Sequence, residues 1–368
     1  MSTLTQASHQ WSSRPADQRF TSLPQMLSFM QDARRRSAAK VVSSRAITVA
    51  PVEGDLEGIV VAGPNGAPVA PTHWAFGQLA QRAGAPVGYL RDLPAPLVAD
   101  CINYGLKHSR SVEEMGVLLA RGDGSSVPEL RAVTGPNYGR IWNMTIVDAL
   151  IKRFGDGVTG SFKVPGEFGH DVPVTKDNTT LYASDRDMFV FLADEKNRIE
   201  IPNRRDGQSG SMARGFFVWN SEVGKTTLGI STFLFDYVCM NRIVWGAKDY
   251  AEVRIRHTAG APDRWIEEVV PAIEAYANSS TTPITKAIEA ARAAKFGNPA
   301  EVEEFLVKRF SRTVVGAVKA AHLADEGRPI ETLWDVSTGI TAYARGIQYQ
   351  DERVDFEREA GKILQLAA

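Results

Sequence analysis

Three carboxylates and a lysine fall close together in the chain: Asp185, Asp187, Asp194 and Lys196. Carboxylate oxygens hold divalent ions, and a lysine beside an attacking water suits metal-dependent phosphodiester cleavage. The same residues also read as a polar turn, Ser184-Asp185-Arg186-Asp187, and a polar loop, Asp194-Glu195-Lys196-Asn197.

Residues 196–256 hold a second chemistry. Ten basic side chains stand there against six acidic ones, and Phe216, Trp219, Tyr237 and Trp245 lie among them. Arginines and rings on one sheet face suit single-stranded nucleic acid, because cations meet phosphates while bases stack. Arg204, Arg205, Arg214, Lys225 and Arg242 are the candidate phosphate contacts, with Trp219 and Tyr138 for stacking. Arg131, Tyr138 and Arg140 form another group around the Gly135-Pro136-Asn137 turn, where a tyrosine between arginines could hold an anion. Asn220, Ser221, Glu222 and Asn241 close apolar runs, as rim residues or as turn caps.

Other motifs fail. Gly224-Lys225-Thr226 resembles the end of a phosphate-binding loop, but the first glycine of that loop would fall on Trp219. A tight hairpin turn explains Gly224 better. The six histidines are scattered, and a pair such as His322 with Asp325 is more often a surface contact than a ligand pair. No cofactor-binding motif and no metal-ligand set emerge, so the sequence favours a binding protein over an enzyme.

The elements that must position these residues follow from periodicity. A helix starts near Leu23 and ends in Arg34-Arg35-Arg36. Strand-like runs cover 41–49 and 58–62. Thr72 is placed to cap a helix carrying Trp74, Phe76 and Leu79. A short helix follows within 83–94, and a longer one spans 95–108 with Leu97, Val98, Ile102 and Leu106 on one face. From 110 to 260 strands dominate, at 115–121, 129–135, 158–164, 180–184, 187–193, 214–219, 226–235 and 251–257, with one helix at 144–154. The tract 201–212 lacks apolar alternation and reads as a mobile loop. Beyond Pro262 the period is helical to the end, with Gly297 and Gly327 at expected helix ends. The fold class is therefore α+β: a strand-rich body with an antiparallel or mixed sheet, followed by an all-helical C-terminal subdomain. The expected divisions are 1–109, 110–260 and 261–368.

Composition sets bounds on partners. The 368 residues carry a net charge of −1, which disfavours indiscriminate polyanion binding. The front 259 residues hold 29 basic and 26 acidic side chains, so anionic partners should meet that part. Cys101 and Cys239 form no disulfide framework, and the N-terminus shows no signal peptide. These features fit the cytoplasm, with no membrane partner.

Several segments are similar to a phage- and plasmid-borne family catalogued as domain of unknown function number 932. They are "WSSRPADQRFTSL", "APTHWAFGQLAQRAGAPVGYL", "RAVTGPNYGRI", "VWNSEVGKTTLGISTFLFDYVCMNRIVWG" and "ETLWDVSTGITAYAR", in that order. "NSEVG" followed by Cys-x-Asn is the most specific of them. The chain departs from the pattern at Arg242 and at Thr338-Gly339. The resemblance implies a mobile-element setting and carries no catalytic residues. With the basic, ring-bearing strands it gives the leading expectation, a single-stranded nucleic-acid-binding, strand-annealing protein that forms a homo-oligomer. A metal-dependent nuclease and an accessory protein that binds a host or phage factor are the alternatives.

Overall fold

The computed structural model describes residues 15–55, 58–63, 68–108, 113–121, 128–164, 173–177, 179–205, 207–236, 241–244, 252–347 and 350–367. The chain opens with β1 (Arg19–Phe20) and α1 (Leu23–Arg35), which Ser22 caps through the Gln25 amide. A strand group follows: β2 (Ser37–Ser43), β3 (Thr48–Pro51), β4 (Ile59–Ala62) and β5 (Pro68–Pro71). Thr72 accepts from the Ala75 amide and starts α2 (His73–Arg82). Then come α3 (Val87–Arg91), α4 (Ala95–His108), β6 (Glu114–Ala120) and β7 (Glu129–Thr134). These strands form one six-stranded sheet in the order β2-β6-β7-β5-β4-β3, antiparallel except for the β5–β7 pair. The expected division near residue 110 thus falls inside a sheet, because β6 and β7 complete the hydrogen bonding that β2 and β5 begin. α2 and α4 cover one face, packing Leu79, Val98, Ile102 and Leu106 on Val117, Leu130 and Val133.

The second sheet has nine antiparallel strands. After α5 (Asn143–Phe154) and β8 (Phe162–Lys163) come β9 (Leu181–Ala183), β10 (Met188–Asp194), β11 (Ile199–Arg205), β12 (Gln208–Asn220), β13 (Leu228–Asp236), β14 (Asn241–Val244) and β15 (Glu252–Ile255). The long spine is the β10–β12–β13 meander, in which Phe217 stands opposite both Phe191 and Ser231. Here the tract 201–212 differs from expectation. It is the β11–β12 hairpin, with Arg205 opposite Gln208 and Gly207 at φ 79°. Ile199, Ile201 and Met212 from this hairpin pack against the C-terminal helices.

Those helices are α6 (Ala261–Arg264), a π turn at Trp265–Val269 running into α7 (Val270–Asn278), then α8 (Thr282–Ala293), α9 (Pro299–Val307), α10 (Arg312–Glu326), α11 (Leu333–Arg345) and α12 (Gln350–Gln365). Gly327 ends α10 at φ 69°, as its position suggests; Gly297 lies three residues past the α8 C-cap instead. Thr332 and Asp335 close a capping box on α11. The fold is α+β, with Trp265, Val269 and Ile273 joining α1 and α5 on one sheet face and α9–α12 sharing a core of their own. Among the described residues, no helix is long and apolar enough to cross a membrane.

Candidate functional site

Two sequence-predicted groups meet at one place, the Ser221–Lys225 loop joining β12 to β13. Gly224 takes φ 80°, the left-handed conformation that a tight turn requires. Val223 inserts against Leu118 and Ala132 on the six-stranded sheet, and its carbonyl accepts from Trp74 Nε1 at 3.0 Å and Gln78 Nε2 at 2.8 Å. The Glu222 carboxylate accepts from the Asn143 amide at 2.9 Å, where negative charge suits the N-terminus of α5. Its other oxygen faces Arg131 at 3.6 Å. Arg131 is the extra residue of a β-bulge between β6 and β7, which aims it at this loop. Tyr138 donates to the Ser221 carbonyl at 3.0 Å, and Arg140 donates to the Glu222 carbonyl. Lys225 Nζ lies 2.9 Å from Asp187 Oδ2, with both side chains buried. Arg131, Tyr138, Arg140, Asp187 and Lys225 are therefore parts of a joint between the two sheets. Each of them bonds a protein partner here, and Tyr138 and Arg140 bond backbone carbonyls of the loop, so the turn serves as a packed joint.

The other candidates sit elsewhere. Arg204 is buried, bonded to Asp236 at 2.9 Å and Glu326 at 2.7 Å, and it ties β11 and β13 to α10. Arg214 is buried too, bonding the Tyr276 carbonyl and Asp194. Trp219 is 1% exposed, stacked on Phe217 at 5.0 Å. Its ring fills the space beside Gly229, where a Cβ would come within 1.9 Å of it. The expected water-facing platform is thus corrected: Trp219 faces the interior and Arg204, Arg214 and Lys225 neutralise internal carboxylates. The side chains of Arg205 and Arg242, with Tyr237, Cys239 and Trp245, lie outside the described residues.

The carboxylate constellation is pulled apart. Asp187 and Asp194 bracket β10, so about 20 Å of extended strand separates them. Asp194 also accepts from the Asn197 amide at 3.1 Å, while Asp185 is exposed beside Arg186 at 3.7 Å. Lys196 is exposed on the following loop. Among the described residues no three metal-ligating side chains converge. One metal ion cannot join these aspartates without rebuilding the strand.

The joint has a pH signature. His257 stacks on Tyr138 at 4.8 Å, and its Nδ1 bonds the Gly139 carbonyl at 3.1 Å. Burial, with Arg140 nearby, pushes its pKa down to about 4. A depressed base binds fewer protons folded than unfolded, so its stabilisation is present above pH 6.5 and is lost as pH falls toward 4. Between pH 7 and pH 5 the loss from this residue is about 2 kcal/mol. Urea unfolding at both pH values should show it, and His257→Phe should reduce the difference by that amount. A variant as pH-sensitive as the wild type would contradict the assignment.

Solvent-facing rings and cations are present on α3 and α4, both of which pack on α2. Tyr104 is 68% exposed and Tyr89 is 63% exposed. Tyr104 stacks on His108 with centroids 4.2 Å apart, and His108 Nδ1 bonds the Tyr104 carbonyl. Exposed Lys107 sits between them in sequence, and exposed Arg91 donates to the His73 carbonyl. The His73 imidazole is held below its ordinary pKa by burial and by Arg91 and Arg186, which marks a positive neighbourhood. None of these residues stood out in the sequence. A groove runs beside them, between the 83–85 turn and Asp100, Cys101, Tyr104 and His108.

Compared with known proteins, the chain matches no family model, no curated protein and no solved structure.

Proposed function

We propose that this protein binds single-stranded nucleic acid on the α2–α4 face. The observation that carries the reading is the exposed Tyr104–His108 stack beside Lys107; Tyr89 and Arg91 are exposed on α3, which packs on α2 as α4 does. Every base has a π-face, so such rings bind strands with little sequence preference, at about 1–3 kcal/mol per stacked base. Asp92 and Asp100 share these helices, so the face is no polycation and the salt dependence should be moderate. With two phosphates met by Arg91 and Lys107, log K should fall against log salt with a slope of about −1.4. The resemblance to the phage- and plasmid-borne family supports a role in recombination, where strand annealing by several copies would use this face.

Fluorescence anisotropy with a labelled oligothymidine tests the reading. Tyr104→Ala should weaken binding by about 5- to 100-fold, the range of one stacked base. Trp219→Phe should leave affinity unchanged. An oligonucleotide that fails to bind at low salt overturns the proposal. A second reading, docking of a protein partner, is favoured by Leu97, 50% exposed on the same helix. Leu97→Ser then abolishes partner capture and spares oligonucleotide binding.

A further inference from the structure

Among the described residues, α2 and α4 leave part of one face of the six-stranded sheet uncovered. A cavity of about 360 Å³ remains, lined by Lys40, Val42, Val61, Val69, Val117 and Leu119 among others. Register explains this lining. Lys40 stands opposite Val117 and Val42 opposite Met115, so Lys40 and Val42 project to the same side as the buried valines. Lys40 is exposed, and no ion pair holds it among the described residues. Every other lining side chain is apolar. The wall residues Val61, Val69, Val117 and Leu130 are buried, so the space is a formed hollow rather than a flat patch. Its size sits at the low end of small-molecule sites, about 300–1,000 Å³.

The geometry points to a binding site for a medium-chain monocarboxylate: an unbranched apolar tail in the hollow and a carboxylate on Lys40. Charge decides the head group. One ammonium at the mouth balances a single negative charge, and a phosphate monoester would keep its second charge uncompensated beside apolar walls. A cationic amphiphile would set like charges together. The edge position of β2 matters as well, since an inward lysine on an edge strand discourages pairing with another copy and leaves the hollow open. The inference does not rest on the nucleic-acid reading, because none of its residues belongs to the Tyr104–His108 face.

Isothermal titration of the full chain with hexanoate, octanoate, decanoate and dodecanoate, each below its micellar concentration, tests the site. Affinity should rise about fourfold per added buried methylene and then level off once the tail fills the hollow. Decanol should bind two- to fivefold more weakly than decanoate, the scale of one solvent-exposed ion pair. Decyltrimethylammonium should bind more weakly still. Lys40→Met should make decanoate and decanol equal. Leu119→Trp and Val42→Phe fill the hollow from partly exposed positions, and each should weaken decanoate at least tenfold. Circular dichroism checks that each variant folds, and either one that folds suffices. Any of three results overturns the proposal: no saturable decanoate binding, equal binding of the ammonium amphiphile, or unchanged affinity in a folded filled variant. A chain that sediments as a dimer and binds no decanoate assigns the hollow to a second copy, which also overturns it.

Discussion

Lys225→Met is expected to destabilise the protein by about 3–5 kcal/mol, and Asp187→Asn by a similar amount. The pair lies 2.9 Å apart with side chains 3% and 1% exposed. Removing one partner leaves the other charge, or an unmatched polar group, inside the joint between the sheets. Replacing both should restore much of the loss, because an apolar pair of similar volume avoids the desolvation of two ions. Urea unfolding of Lys225→Met, Asp187→Leu and the double variant gives the coupling directly. A lysine that served to grip phosphate from solvent would behave otherwise. Its removal would cost under about 0.5 kcal/mol of stability and would appear in ligand affinity instead.

Arg204→Met should have an effect of the same order, about 3–5 kcal/mol, with a different spatial pattern. Arg204 bonds Asp236 at the end of β13 and Glu326 at the end of α10, and its guanidinium lies over Trp334 at 5.3 Å. Without it, two buried carboxylates face one another across the contact between the β-body and the helices. The helical side is held there otherwise by apolar packing, Ile284, Ile288 and Leu364 on Met212 and Leu234, and by α11 and α12 against β14. Hydrogen exchange in the variant should therefore accelerate in α10–α12 well before the centre of β12. Uniform acceleration would mean that Arg204 is no local bolt between the two parts.

The sequence made some elements plain and hid others for identifiable reasons. The helix at 95–108 was expected with its observed bounds, and Thr72 caps α2 as its position suggests. Local signals of this kind are carried by neighbours in the chain. The β11–β12 hairpin was missed because the pairing that orders Ile199–Arg205 comes from residues beyond the turn, although Asp206-Gly207 is a hairpin signal. The burial of Trp219 is hidden in the sequence for another reason. β13 buries all nine of its residues and β10 all seven, so both sheet faces are covered. A strand buried on both sides gives no alternation from which an outer face could be chosen. Phe216 and Trp219 consequently point to opposite faces and neither reaches water.

The joint was half legible. The sequence marks Arg131, Tyr138 and Arg140 around one turn, Glu222 at the end of an apolar run and Lys225 as a phosphate contact, and the fold brings all five together. Their role depends on what lies opposite, and that is supplied by α2, α5 and β10, far away in sequence. Gln78 and Trp74 could be found only once the loop was seen to enter the six-stranded sheet. The α2–α4 face left a readable trace. Tyr104 lies two residues from both Ile102 and Leu106, which are buried, so helical spacing turns it outward. Spacing puts Leu97 on the stripe with Val98, Ile102 and Leu106, but Ala95 and Ala99 take that buried place instead.

Photo-cross-linking with an oligothymidine carrying 4-thiothymidine, followed by peptide mapping, tests the central claim most directly. Cross-links should fall on the peptides holding Tyr89, Tyr104 and His108. Cross-links on β12 or β13, at Phe217, Trp219 or Phe233, or none at saturating oligonucleotide, would contradict it.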